Sequence, residues 1–447
     1  MIIIIAFLLL LTTISGIAQD VARYKVVGSR SASLAVGDFD KDGDEDLIGI
    51  NYGFGNPSLE LVENKSGDPQ NLSAIKLKDG FLPSGNLNSL DYDKDGDLDL
   101  IVGQKSGNMN VLINSGSFTF ENIDLKVPSL DYVKLIDIDQ DSDIDMIGYF
   151  NNSNLLYFYT NNGANNFAST NIQPFTKSIA TMDAADLNSD GKVEIIIGIS
   201  QFFDEHILLL KNTSPGKYDT ARIAYNDFKI VNQVSLIDID RDGKKDILAC
   251  NESVGIGAWI NRGNLNFEYK KLVSYTQSSS LGYLKFIATD LNGDGHLDLV
   301  TGNNSDGILL HINTNKTTLT YDTKTGTSIS PSFDIVSTNL DKDKDNDFFV
   351  SNGELWFCEN KIAQLTSISD INMRSFSGIV NQKNSLKILD TEFQESLINI
   401  VTTSGQILNV QSIQDGNIDI RTLQNGYYFL KCYSKSGKEQ SYTFVKY

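Results

Sequence analysis

The chain has 447 residues, 40% apolar and 10% aromatic, enough to bury a substantial core, which excludes a disordered polymer. Lys+Arg 37 against Asp+Glu 57 leaves a net charge of −20, and an acidic surface of that size repels phosphate backbones and anionic headgroups, which excludes nucleic acid as a partner. The 3 cysteines (Cys250, Cys358, Cys432) allow at most one internal bridge, and the 3 histidines (His206, His296, His311) leave little for zinc or general-base chemistry.

Residues 1–18 read MIIIIAFLLLLTTISGIA. The apolar stretch from Ile2 to Leu11 is too short for a bilayer core, which needs about 20 apolar residues. Gly16 and Ala18 stand at the −3 and −1 positions of a cleavage before Gln19, the layout of a secretory signal peptide, although no Lys or Arg precedes the apolar run. The alternative is a buried amino-terminal strand. No other segment reaches transmembrane length, so the mature chain is expected to carry no transmembrane helix and to be secreted or held at the cell surface.

From Asp38 onward one pattern returns seven times: an acidic nonapeptide, then an apolar run. The nonapeptides are DFDKDGDED from Asp38, DYDKDGDLD from Asp91, DIDQDSDID from Asp137, DLNSDGKVE from Asp186, DIDRDGKKD from Asp238, DLNGDGHLD from Asp290 and NLDKDKDND from Asn339. Each copy has a second landmark after a short apolar strand: Asn64, Asn114, Asn161, Asn212, Asn261, Asn313 and Asn360. A unit therefore reads strand, acidic loop, strand, turn, strand, turn, strand. The strand after the loop, such as LIVG at Leu100–Gly103, is apolar on both sides and must be covered on both faces. Four-stranded blades stacked around an axis supply that cover, so the predicted fold is all-β: a seven-bladed β-propeller followed by a small carboxyl-terminal β-sandwich. Blade seven stops one strand short, and Arg23 to Val27 is a spare strand placed to complete it and remove an unpaired edge. An open solenoid of the same units is the alternative.

Carboxylates or amides fill positions 1, 3 and 5 of the nonapeptide, Gly usually fills 6, and Asp or Glu fills 9. On a tight turn the odd positions aim their oxygens at one centre, while Gly supplies the positive φ the turn needs. Crowded carboxylates repel unless a cation neutralises them, and hard oxygens without nitrogen or sulfur select calcium, or less well magnesium. The ligand-type side chains are Asp38, Asp40, Asp42 and Asp46 in loop one, Asp91, Asp93, Asp95 and Asp99 in loop two, and Asp137, Asp139, Asp141 and Asp145 in loop three. Loop four offers Asp186, Asn188, Asp190 and Glu194, and loop five Asp238, Asp240, Asp242 and Asp246. Asp290, Asn292, Asp294 and Asp298 follow in loop six, then Asn339, Asp341, Asp343 and Asp347 in loop seven.

These loops resemble the calcium-loop propeller repeats called VCBS or FG-GAP repeats, also found in the integrin alpha-subunit head. The resemblance covers roughly residues 23–360. It implies that positions 1, 3, 5 and 9 bind through side chains and position 7 through its backbone carbonyl. Those carbonyls belong to Asp44, Asp97, Asp143, Lys192, Lys244, His296 and Asp345. Ser142 and Lys344 replace the glycine of loops three and seven, and loop seven, with Asn339 at position 1, is expected to bind most weakly. The charge balance agrees. Residues 361–447 carry nine basic and seven acidic side chains, which leaves −22 on residues 19–360; up to seven structural Ca²⁺ ions bring that to −8, an ordinary surface value.

Composition changes after Asn360. Residues 361–380 are expected to be a linker, and residues 381–447 a β unit with short strands and turns at Ser404-Gly405, Asp415-Gly416, Asn425-Gly426 and Ser436-Gly437. The segments INIVTTSGQIL (Ile398–Leu408), NIDIRTLQNGYYFLKCYSKSG (Asn417–Gly437) and FVKY (Phe444–Tyr447) resemble the type A carboxyl-terminal sorting domain of the type IX secretion system. LKILDTEF (Leu386–Phe393) stands where that family has a Tyr-Pro-Asn-Pro-like entry. The resemblance implies handling by the type IX machinery and export across an outer membrane.

A catalytic reading needs a base, a nucleophile or an exposed acid pair in a cleft. The repeat absorbs the Asp pairs as metal ligands, and the cysteines lack metal-type spacing, so the chain is not expected to be an enzyme. A secreted polysaccharide lyase or glycosidase on a propeller scaffold is the alternative. The favoured function is a calcium-binding adhesion module for a glycan or protein ligand at the cell surface. Its ligand residues are expected in the loops between second and third strands: Tyr52, Phe54, Phe150, Phe202 and Phe203, with Glu252, Asn303, Asn304 and Asp306. Plugging of the channel and covering of blade edges is the competing role for these residues.

Overall fold

The computed structural model describes residues 21–360 apart from 27–28, 30, 52–56, 66–71, 80–82, 105–106, 164, 172–174, 176, 200–206, 215–216, 224–230, 252–254, 275–284, 304–306, 328, 330–333 and 344. Beyond 360 it describes the strands at 379–382, 385–388, 397–402, 407–412, 417–419, 426–433 and 439–446. The expected signal peptide, residues 1–18, and all but the end of the expected linker lie outside the described residues. The chain divides into two compact units, Met1–Thr366 and Ser367–Tyr447.

The first unit is a seven-bladed β-propeller, and no helix occurs among its described residues. Blade one is typical: Ser31–Gly37, Asp46–Asn51, Ser58–Val62 and Ala74–Asp79 form a four-stranded antiparallel meander. Each acidic loop joins the first strand of a blade to its second. The second strands are buried throughout, as in Asp99–Gly103 and Glu194–Ile199. Alternate residues of such a strand pack against different neighbours. Ile195 and Ile197 of blade four lie with Ile147 of blade three, whereas Ile196 lies with Ile247 and Trp259 of blade five. Burying an isoleucine this way contributes about 1.5–3 kcal/mol, which is why a run apolar on both sides fits a strand covered on both faces.

The first strands touch in sequence around the ring, and the cycle closes because Ser31–Gly37 of blade one contacts Asp334–Thr338 of blade seven. The open solenoid is thereby excluded. Val21–Lys25 completes blade seven, antiparallel to Leu355–Asn360, in register from Val21 opposite Asn360 to Lys25 opposite Trp356. The spare strand begins two residues earlier than expected because Val21 is fully buried; Val26 has left the strand ladder, although its N–H still donates to the Leu355 carbonyl at 2.9 Å.

The second unit is also built of antiparallel strands. Ile379–Gln382, Ser385–Ile388 and Asn417–Asp419 form one sheet. Ile407–Ser412, Leu397–Thr402, Gly426–Tyr433 and Glu439–Lys446 form another, in that order. The turns expected at Ser404-Gly405, Asp415-Gly416 and Ser436-Gly437 lie outside the described residues, as does Asn425, while Gly426 opens the strand Gly426–Tyr433.

Candidate metal centres

Two left-handed residues shape each of loops one to six. Position 6 has φ between 74° and 89° in loops one to six, Ser142 included, as the sequence led us to expect for Gly43 and its equivalents. Position 4 is left-handed as well, at Lys41, Lys94, Gln140, Ser189, Arg241, Gly293 and Lys342. A non-glycine residue there costs on the order of 1 kcal/mol, so the loop must be held by other contacts. The side chains hold it. In every loop the position-7 N–H donates to the position-5 side chain at 2.8–2.9 Å, from Asp44 to Asp42 through to Asp345 to Asp343. In loops one to six the position-6 N–H donates to the position-1 carboxylate, as Gly243 does to Asp238 at 2.9 Å. Loop seven lacks that carboxylate, and Asn339 instead donates its amide to the Asp343 carbonyl at 3.2 Å.

The position-9 acid is the deepest member. Asp99, Asp145, Glu194, Asp246, Asp298 and Asp347 are inaccessible to solvent, and Asp46 is 2% exposed. In every loop but the fourth, one carboxylate oxygen accepts the N–H of the landmark asparagine, and in loops one to six the other accepts the N–H of position 2. For Asp246 these are Asn261 at 2.7 Å and Ile239 at 3.0 Å. The landmark asparagine then reaches backward along the ring. Asn114 donates its side-chain amide to Phe39 O, Asn261 to Leu187 O and Asn360 to Leu291 O, at 2.6–2.8 Å, each time into the acidic loop of a preceding blade.

Burial and mutual repulsion disfavour the ionised acids. Desolvation is the larger cause: it pushes Asp46 and Asp298 up to about 7, Asp145 and Asp246 to about 6, and Asp347 to about 9, against the backbone N–H donors that pull them down. Asp99 and Glu194 are raised by the same cause. In loops one, two, three and five, three carboxylates bring one oxygen each within 4.8 Å of the others. The sets are Asp38, Asp40 and Asp42; Asp91, Asp93 and Asp99; Asp137, Asp139 and Asp145; and Asp238, Asp240 and Asp246. Oxygens bound at about 2.3–2.6 Å to a shared calcium ion stand at such separations. Several loop oxygens are buried yet accept no hydrogen bond: Asp38 Oδ1, Asp240 Oδ1, Asp290 Oδ1, Asn339 Oδ1 and Asp347 Oδ2. Unsatisfied buried acceptors are costly, and a cation is the partner their chemistry calls for. The donor set fits a hard divalent ion.

Not every loop is equally open to an ion. Lys244 turns its ammonium onto Asp242 at 2.6 Å, and Arg262 lies 3.3 Å from Asp240, so two ligand-type acids of loop five already carry a cationic neighbour. His296 is half-buried, with its N–H on Asp294 at 2.8 Å. Lys344 lies outside the described residues.

Of the expected ligand-contacting aromatics, Tyr52, Phe54, Phe202 and Phe203 lie outside the described residues, as do Glu252, Asn304, Asp306 and the side chain of Asn303. Phe150 is half-buried and stands edge-on to Tyr157, ring centres 5.2 Å apart. His206 is likewise undescribed. His311 is fully buried, between the hydroxyls of Thr301 and Thr323 at 2.8 Å each, and burial lowers it to about 4. Cys250 and Cys358 are buried thiols, and burial raises the Cys358 thiol well above its ordinary range. Sequence reasoning marked the landmark asparagines but not their partners, and it missed position 4 entirely.

Residues 137–197 and 238–301, which span loops three to six, match the FG-GAP-like repeat family. The chain therefore carries FG-GAP-like repeats in a seven-bladed propeller. No curated protein matches the chain. Among solved structures it is similar to PorZ, a bacterial surface component of the type IX secretion system of Porphyromonas gingivalis, with 10% identity, 90% of this chain covered and a TM-score of 0.45. The chain spans 58% of the length of PorZ. It is also similar to BBS1N, solved in complex with ARL6DN, with 10% identity, 76% of this chain and 96% of that one covered, and a TM-score of 0.49.

Proposed function

We propose that the protein is a calcium-stabilised propeller at the cell surface or outside the cell, working as a binding or adhesion module for a glycan or protein ligand. The observation that carries the calcium reading is the set of buried, hydrogen-bond-free oxygens in the acidic loops, beside carboxylates that burial holds well above their ordinary range. A divalent ion removes both penalties at once. The export route through the type IX machinery rests on the carboxyl-terminal segments INIVTTSGQIL and FVKY, with residues 381–447 as a small β-sandwich sorting domain. The secretory signal reading rests on residues 1–18.

The module acts by binding and not by catalysis. The acids of the repeat serve the loops, and the buried His311 and the two buried thiols are sealed from any substrate. A glycan and protein binding screen of the purified protein, run with calcium and again in EDTA, tests the whole reading. Calcium-dependent retention of one ligand class is expected. Depolymerisation of a polysaccharide in the same samples would instead make the protein a lyase or glycosidase.

A further inference from the structure

Position 4 of five acidic loops reaches toward the loop of the following blade. Lys41 of loop one pairs with Asp97, position 7 of loop two. Lys94 of loop two lies 3.9 Å from Asp143, position 7 of loop three, and donates to Ser142 O at 2.7 Å. Lys342 of loop seven pairs with Asp44, position 7 of loop one, across the seam where the ring closes. Two further side chains make the same reach without a carboxylate at the far end: a Cβ added at Gly191 of loop four would meet Gln140 Nε2 of loop three at 2.7 Å, and one at Gly295 of loop six would meet the Arg241 guanidinium of loop five at 3.9 Å. The residue types are matched to this geometry. Loops one, two and three have Asp at position 7, and the preceding loops all have Lys at position 4. Loops four, five and six have Lys192, Lys244 and His296 at position 7, and the preceding loops have Gln140, Ser189 and Arg241; loop seven departs from the matching, with Asp345 at position 7 after Gly293.

We infer that Lys342, Lys41 and Lys94 are positioning residues that couple the cation sites of loops seven, one, two and three, while loops four to six fill independently. This rests on the calcium reading above. The coupling follows from where each lysine stands. It sits between two ligand-type side chains, positions 3 and 5, on a left-handed residue (φ 62° at Lys41, 65° at Lys94, 57° at Lys342). An ion in its own loop fixes those flanking ligands and so fixes the lysine. Its ammonium then holds the position-7 residue of the next loop, whose carbonyl is the ligand that the FG-GAP resemblance assigns there. Linkage is reciprocal, so an ion in the next loop favours the first site equally.

The sign of one substitution separates this from plain electrostatics. An ammonium near a cation site repels the cation, so removing it should tighten binding. If the lysine positions the next loop, removing it should weaken binding. The test is calcium titration by calorimetry on the full chain, with thermal melts alongside. Lys41→Met should raise the calcium midpoint about threefold, within the range of an exposed pair. Lys41→Arg should restore it, and Lys41→Met with Asp97→Asn should be no weaker than the worse single variant. Lys211→Met, an exposed lysine on blade four, should leave the midpoint unchanged. Calcium bound by Lys41→Met as tightly as by the parent, or more tightly, overturns the coupling while leaving the calcium reading intact. Absence of calcium binding in every protein overturns both. Should Lys41→Met fail to fold, Lys94→Met makes the same comparison between loops two and three.

Discussion

Asn64 donates its side-chain amide to the backbone carbonyl of Leu340 at 2.8 Å, across 276 positions of sequence, and so ties blade one to blade seven. The same side chain type makes the equivalent bond from Asn114, Asn261 and Asn360 to the loops of preceding blades. These amides are buried, so their loss strands carbonyls with no access to water.

Asn261→Ala removes donors to both Leu187 O and Lys245 O and the acceptor for the Gly263 N–H. We expect a loss of about 1–3 kcal/mol in urea unfolding, the cost of leaving buried partners unsatisfied. Asn162→Ala, one residue past the landmark of blade three and exposed, should cost less than about 0.5 kcal/mol.

Calcium should raise the melting temperature and EDTA should lower it. At twenty times the dissociation constant each filled site contributes about 2 kcal/mol, so even a few occupied loops shift the melt by several degrees. Asp246→Ala, which also strands the N–H groups of Asn261 and Ile239, should destabilise the protein in both conditions and should bind one ion fewer by calorimetry. An unchanged melt in EDTA would count against structural cations.

His311 predicts a component of acid sensitivity that owes nothing to the loops. Burial depresses its imidazole to about 4, below the ordinary 6.5, so the folded state binds the proton less well than the unfolded chain. The stability this contributes is complete above about pH 6.5 and is lost as pH falls toward 4, about 3 kcal/mol in all. His311→Gln should flatten the fall in unfolding free energy across that window relative to the parent protein. An identical slope in both would refute the assignment.

Deleting residues 21–25 leaves blade seven with three strands and exposes the edge of Leu355–Asn360. The truncated chain should lose several degrees of melting temperature and associate with itself, measured by light scattering, because an unpaired apolar edge recruits another chain. Ending the chain after residue 366 should leave the calcium response intact, since the division between units falls there.

What could be seen from the amino acids alone was local. Positions 1, 3, 5 and 9 lie within nine residues, and their spacing needs no partner to be recognised. The apolar runs behind them announce burial on both faces, and the count of units plus one spare strand foretells closure by Arg23 to Val27, two residues beyond the strand Val21–Lys25 that makes it. The left-handed turn at position 4 left no trace because Lys, Gln, Ser and Arg fill it in six of seven loops and only Gly293 suits it by composition. The asparagine contacts and the Lys41–Asp97 pair join residues 50 or more apart, and their meaning depends on knowing which blade stands beside which. Phe150 looked available for a ligand because its loop is aromatic, and nothing nearby in sequence marks its packing on Tyr157.

The strand that completes the last blade is among the first made. Val21 must wait for Asn360 to exist before it has a backbone partner, and no shorter stretch of the polypeptide can substitute. Final closure is thus a late, long-range event, slow by the entropy of joining such distant segments. Until then an emerging chain carries one naked β-edge at each extremity, where a second copy can add itself before the ring shuts.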